Sequence, residues 1–127
     1  MHADVARSLA LLRGQGDGLQ VMAQNLIEFW AVATRPIAAN GLGLKTAQAA
    51  RELIRLKTLF GILADTPDIL SEWEQLVVRH EVRGKQAHDA RLVAAMKVHR
   101  VTHLLAFNTG DFRRYDDITV VDPTGVK

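Results

Sequence analysis

Lys85-Gln86-Ala87-His88-Asp89-Ala90-Arg91-Leu92-Val93-Ala94-Ala95-Met96, followed after Lys97-Val98-His99-Arg100-Val101 by Thr102-His103-Leu104-Leu105-Ala106-Phe107-Asn108-Thr109-Gly110-Asp111-Phe112, decides how the rest of the chain is read. The first part predicts a helix that is apolar on nearly every side, because Leu92, Val93, Ala94, Ala95, Met96 and Val98 leave no continuous polar face. Such a helix is buried. Asp89 precedes Leu92, Val93 and Met96 by three, four and seven residues, so it begins the same stripe and its carboxylate needs a partner. The second part predicts a buried parallel strand from Leu104 to Phe107 that opens through Asn108, Gly110 and Asp111 into a polar loop. In open α/β sheets, sites form at that end of the strands.

Working outward, 127 residues with 48% hydrophobic content are read as one compact domain over 1–127 that fills its core without disulfides. The absence of cysteine excludes a disulfide framework, a thiolate metal site and a thiol nucleophile, and fits a reducing cytoplasm. No apolar run approaches a bilayer span, and the first residues do not read as a signal peptide, so no membrane association is expected. A net charge of +2 permits a phosphate-bearing partner without demanding one.

Val5, Ala6, Leu9 and Leu12 predict an opening helix, closed by Gly14-Gln15-Gly16-Asp17-Gly18. Leu19 to Ala23 reads as a strand, and Asn25 caps a helix from Leu26 to about Thr34, ended by Arg35-Pro36. Ile37 to Lys45 is a loop. Thr46 caps the next helix, Phe60 to Leu63 is a short strand, and Thr66-Pro67-Asp68 starts a helix that carries Ile69, Leu70, Trp73, Leu76, Val77 and His80 to the break at Arg83-Gly84-Lys85. Phe112 to Tyr115 is a single turn and Ile118 to Val121 a last strand. Alternating helices and strands make an α/β fold with a mainly parallel sheet.

Three acids stand out by position. Glu28 is the one charge among Leu26, Ile27, Phe29, Trp30 and Val32; Asp89 opens the buried helix; Asp111 follows the Leu104 strand. Taken singly, Glu28 reads as a solvated side chain, Asp89 as a carboxylate favoured by the helix dipole and Asp111 as a turn former. Together they are positions that parallel topology gathers at one sheet edge, where carboxylates repel unless a hard divalent cation with oxygen ligands joins them. Magnesium or manganese held this way activates water and neutralises charge on a phosphoryl group.

Gln24-Asn25-Leu26-Ile27-Glu28-Phe29-Trp30, Gly84 to Ala94, Leu104 to Phe112 and Ile118-Thr119-Val120-Val121-Asp122-Pro123 resemble, in order and spacing, a PIN domain of the VapC-like toxin group. The resemblance implies a Rossmann-like three-layer sandwich and a Mg2+- or Mn2+-dependent ribonuclease, the toxin half of a toxin–antitoxin pair, with RNA as substrate, a cognate antitoxin as partner and a homodimer as its state. Glu28 matches the family's helix glutamate and Asp89 the aspartate of its buried helix; Asn108 stands where relatives carry Asp or Asn, with Asp111 just beyond. The implied metal set is Glu28, Asp89, Asn108 and Asp111, with Glu28, Asp89 and Asp111 catalytic. Lys85, His88, Arg91 and Arg113 are candidates for holding RNA, with Arg35, Lys45 and Arg114 on the same rim.

The chain departs from the family in two places. Relatives begin with a strand ending in aspartate, whereas here the chain is read as starting in the first helix, so a sheet lacking its usual first strand and first acid is expected. Ala106 stands where relatives usually have threonine. The alternative is therefore an amino-terminally truncated, inactive PIN domain that keeps antitoxin-binding or dimer surfaces, a groove of the first helices and the Ile37 to Lys45 loop holding the antitoxin peptide. The five histidines have no zinc spacing, and no Ser-His-acid arrangement suggests nucleophilic catalysis.

Overall fold

The computed structural model describes residues 11–13, 18–105, 112 and 114–121. Within them lie five strands, β1 (Leu11–Arg13), β2 (Leu19–Met22), β3 (Gly61–Leu63), β4 (His103–Leu105) and β5 (Thr119–Val121), and four α-helices, α1 (Ala23–Thr34), α2 (Thr46–Leu59), α3 (Pro67–Arg79) and α4 (Gln86–Val98). The strands form one sheet in the order β3-β2-β1-β4-β5. The α/β class is as expected, but the sheet is mixed and not mainly parallel. β2 and β3 pair parallel, as do β4 and β5, while β1 is antiparallel to both β2 and β4.

The chain nonetheless carries a strand ahead of β2, Leu11–Arg13, at the centre of the sheet. Leu12, read as the end of an opening helix, sits in that strand and is fully buried. Val5, Ala6 and Leu9 lie outside the described residues. The reversed direction has a simple cause. Only residues 14–18 separate β1 from β2, and a parallel pair needs a crossover of about a dozen residues or more, so neighbours joined this tightly pair as a hairpin.

Alternation along the strands divides the core between the two faces of the sheet. Leu12, Met22 and Leu104 join Ile69 and Leu76 of α3 and the buried side of α4 on one face. Val21 and Leu11 join Phe29 and Ala33 of α1 and Ala49 and Leu56 of α2 on the other. The result is helices on both sides of a sheet. α4 behaves as its composition dictates: Ala90, Leu92, Val93, Ala94, Ala95 and Met96 are all buried.

Local boundaries differ where backbone hydrogen bonds override the sequence signal. α1 begins at Ala23, directly from β2, because Asn25 works from inside the first turn: its Oδ1 accepts the Met22 N–H at 2.7 Å. Thr46 is the first residue of α2, whose start is closed by the Lys45 N–H donating to Gln48 Oε1 at 2.9 Å. The Ile37 to Lys45 loop contains a 3-10 turn at Ile37–Ala39 and folds back on α1, with the Leu42 and Leu44 N–H groups donating to the Val32 and Ala33 carbonyls at 3.0 and 2.8 Å. Gly41 permits that return, since a Cβ there would lie 2.0 Å from the Arg35 oxygen. Among the described residues, no helix is long and apolar enough to cross a membrane.

Candidate functional site

The site begins where β2 becomes α1 without a loop. Because Asn25 closes the first turn from within, Gln24 and Glu28 stand four residues apart on one face of α1, just beyond the carboxyl end of β2. Asp65 follows the parallel neighbour β3 by two residues. The start of α4 supplies the opposite wall. Between them is a cleft of about 880 Å³ lined by Gln24, Ile27, Glu28, Arg35, Asp65, Lys85, His88, Asp89 and Arg91, among others. It lies at the carboxyl edge of parallel strands, where open α/β sheets place their sites.

The cleft thus brings together Glu28, Asp89, Lys85, His88 and Arg91, which the sequence marks as candidates. Asn108, Asp111 and Arg113 lie outside the described residues. Arg114 does not line the cleft, because its guanidinium donates to the His80 carbonyl at 3.5 Å and to Gln86 Oε1, tying the turn before β5 to the break before α4. Glu28 is half-buried rather than fully solvated, and its Oε2 accepts from Gln24 Nε2 at 3.2 Å. Asp89 is half-buried in the first turn of α4, where the helix dipole favours a carboxylate. Its charge reaches the turn before β5. Burial pushes the Tyr115 phenol above its ordinary value, the Arg114 charge opposes this, and the Asp89 charge adds to it.

Two polar residues of the cleft carry no mark in the sequence. Gln24 Nε2 donates to the His88 carbonyl at 2.6 Å as well as to Glu28, and Gln24 Oε1 accepts from Arg91 at 3.0 Å. Asp65 Oδ1 accepts from the second terminal nitrogen of Arg91, also at 3.0 Å. Asp65 could have been found from its place after a parallel strand. Gln24 could not, because its partners lie on a helix more than sixty residues away in sequence.

Chemically, the cleft offers acidic oxygens beside cationic groups. Among the described residues, no three His, Asp or Glu side chains converge so as to hold a metal. Mg2+ is commonly held through one or two carboxylates and keeps several waters, and Glu28 and Asp89 are the two implied ligands that line this cleft. An apolar groove adjoins the cleft, sharing Ala23 and Ile27 with it. It has a volume of about 470 Å³ and is lined by Ala23, Leu26, Ile27, Trp30, Leu53, Lys57 and Ile62. Trp30 belongs to this groove, while Trp73 packs on the α4 face and donates its indole N–H to the Ala87 carbonyl at 2.9 Å.

No protein-family model, no curated protein and no solved structure matches the chain.

Proposed function

We propose that this chain is a PIN-like endoribonuclease of the toxin–antitoxin type that works in the cytoplasm with Mg2+ or Mn2+. The observation that supports the reading is one cleft lined by Glu28 of α1 on one wall and by Lys85, His88, Asp89 and Arg91 at the start of α4 on the other. Glu28 and Asp89 would hold the cation, with Asn108 and Asp111 completing the set that the resemblance implies. When bound, the ion supplies charge neutralisation at the phosphodiester and activation of water. Arg91 and Lys85 place positive charge where an RNA phosphate enters, the guanidinium offering a planar fork of donors. His88 stands on the exposed rim beside them.

The test is cleavage of a structured RNA in Mn2+ by the chain and by Asp89→Asn. Loss of one of two charged ligands is expected to reduce the rate by at least about a hundredfold. Equal cleavage by both proteins would sink the reading.

A second reading, a binding module without catalysis, draws on the apolar groove. Ile27 and Ile62 beside it are 68% and 50% exposed, and apolar grooves of this kind hold amphipathic helices of partners. An antitoxin or a second copy of the chain would sit there. Binding of such a partner without any RNA cleavage would favour this reading over the first.

A further inference from the structure

Within this cleft Arg91 pairs with Asp65 but is linked to Glu28 through a single neutral side chain, Gln24. Arg91 Nη1 donates to Gln24 Oε1 at 3.0 Å and Arg91 Nη2 to Asp65 Oδ1 at 3.0 Å. On its other side the same Gln24 carboxamide donates from Nε2 to Glu28 Oε2 at 3.2 Å and to the His88 carbonyl at 2.6 Å. A guanidinium only donates and an ionised carboxylate only accepts, so just one of the two flips of the amide satisfies both neighbours. Gln24 therefore faces each charge with the matching end of its dipole.

Without that amide the two charges would be neighbours in a partly desolvated cleft. Arg91 and Glu28 are then separated by no more than the width of one removed side chain, and attraction at such range, with a fork that fits a carboxylate, favours a closed pair. A closed pair would use up both functions at once. The carboxylate would be neutralised and the guanidinium would have fewer donors left for an anion.

We propose that Gln24 is a positioning residue whose carboxamide holds Arg91 away from Glu28, so that the cleft presents a carboxylate for a cation and a guanidinium for a phosphate side by side. Its purpose rests on the nuclease reading; the separation itself belongs to the metal-free chain. Asp65 is the second half of the device, anchoring the far nitrogen of Arg91 on the rim.

The experiment has two arms. In the first, crystal structures of metal-free Gln24→Leu, and of Gln24→Ala should the leucine variant fail to fold, show whether Arg91 moves. A guanidinium nitrogen within about 4 Å of a Glu28 oxygen is expected. In the second, Mn2+ binding is measured calorimetrically for the native chain, Gln24→Leu and Gln24→Leu/Arg91→Met. The single variant is expected to bind about tenfold more weakly, and removal of the competing arginine to restore affinity to within about twofold of native. A purely structural role for Gln24 would leave the double variant no better than the single one. Arg91 remaining on Asp65 and clear of Glu28 in the variant crystals, or failure of the double variant to recover, overturns the proposal. If the native chain takes up no Mn2+, the nuclease reading fails and the crystallographic arm alone decides the role of Gln24.

Discussion

The two faces of the sheet carry helices buried to different degrees, α4 on one and α1 and α2 on the other. On one, α4 lies against α3 and the strands with an unbroken buried run from Leu92 to Met96, and Trp73, Val77 and Val98 close its margins. On the other, α1 and α2 bury Phe29, Ala33, Ala49 and Leu56 but leave Ile27, Ile54 and Leu59 more than half exposed. The cleft opens where α1 meets the start of α4. α4 therefore supplies a buried wall and α1 a wall with apolar surface to spare, as α3 also keeps on its outer side at Leu70 and Val78, the kind of surface that marks interaction sites when it is contiguous.

The strongest way to break this comparison is to charge α4. Val93→Asp places a carboxylate at a fully buried position, at a cost of several kcal/mol against a total stability of about 5–15 kcal/mol. Loss of the cooperative thermal transition is expected; a melting curve within a few degrees of native would show that α4 is not the core element described here. A smaller effect is expected at the junction of β2 and α1. Asn25→Ala removes the acceptor for the Met22 N–H, and destabilisation of about 1–2 kcal/mol should appear in urea unfolding. A ribonuclease rate that falls further than the stability does would show that the turn also aims Gln24 and Glu28.

Smaller still is the contribution of the ion pair at the far end of α4, where Lys97 Nζ lies 2.6 Å from Asp117 Oδ2. The Lys97 hydrogen bond holds the Asp117 carboxyl below its ordinary value of 3.8, in a largely exposed setting. A lowered carboxyl value means stability that is present above pH 3.8 and lost as the pH falls through the folded-state value. Asp117→Asn should thus cost no more than about 1 kcal/mol at neutral pH, and the difference from native should vanish in acid unfolding below that range. A gap that persists at low pH would assign the effect to packing. The smallest change is expected on the exposed side of α2, where Ile54→Ser should alter stability by less than about 0.5 kcal/mol. A loss several times larger would mean that this isoleucine is covered in solution, as by a second copy of the chain, which sedimentation would reveal.

Much of this arrangement is legible in the residues. The all-round apolar composition of α4 identifies its burial, the Pro67 and Gly84 breaks bound α3, and the rule that sites form at the carboxyl ends of parallel strands points to the end of the sheet where Glu28 and Asp89 line one cleft. What escapes is whatever depends on partners distant in sequence. Leu12 fits a helical spacing with Leu9 as well as it fits a strand, and only pairing with Leu104 and Gln20 settles its state. Gln24 resembles any solvated glutamine until Arg91 and His88 arrive from α4. Helix starts shift by a few residues because Asn25 and Gln48 act from the third helical position and not from the cap itself.

The reversed central strand also sets the order in which the molecule can assemble. Its contacts with β2 are local and can form as a hairpin within about 1–10 μs. Its contacts with β4 pair Leu11 with Leu105 and Arg13 with His103, and must wait until nearly the whole chain has been enclosed in a loop, whose entropic penalty grows with its length. Within the described sheet, β1 is the only strand whose hydrogen bonds connect β2 and β3 to β4 and β5. Three residues therefore form the seam of the sheet, and the slowest step of folding and the first local opening of the native state, as followed by amide exchange, should share that seam.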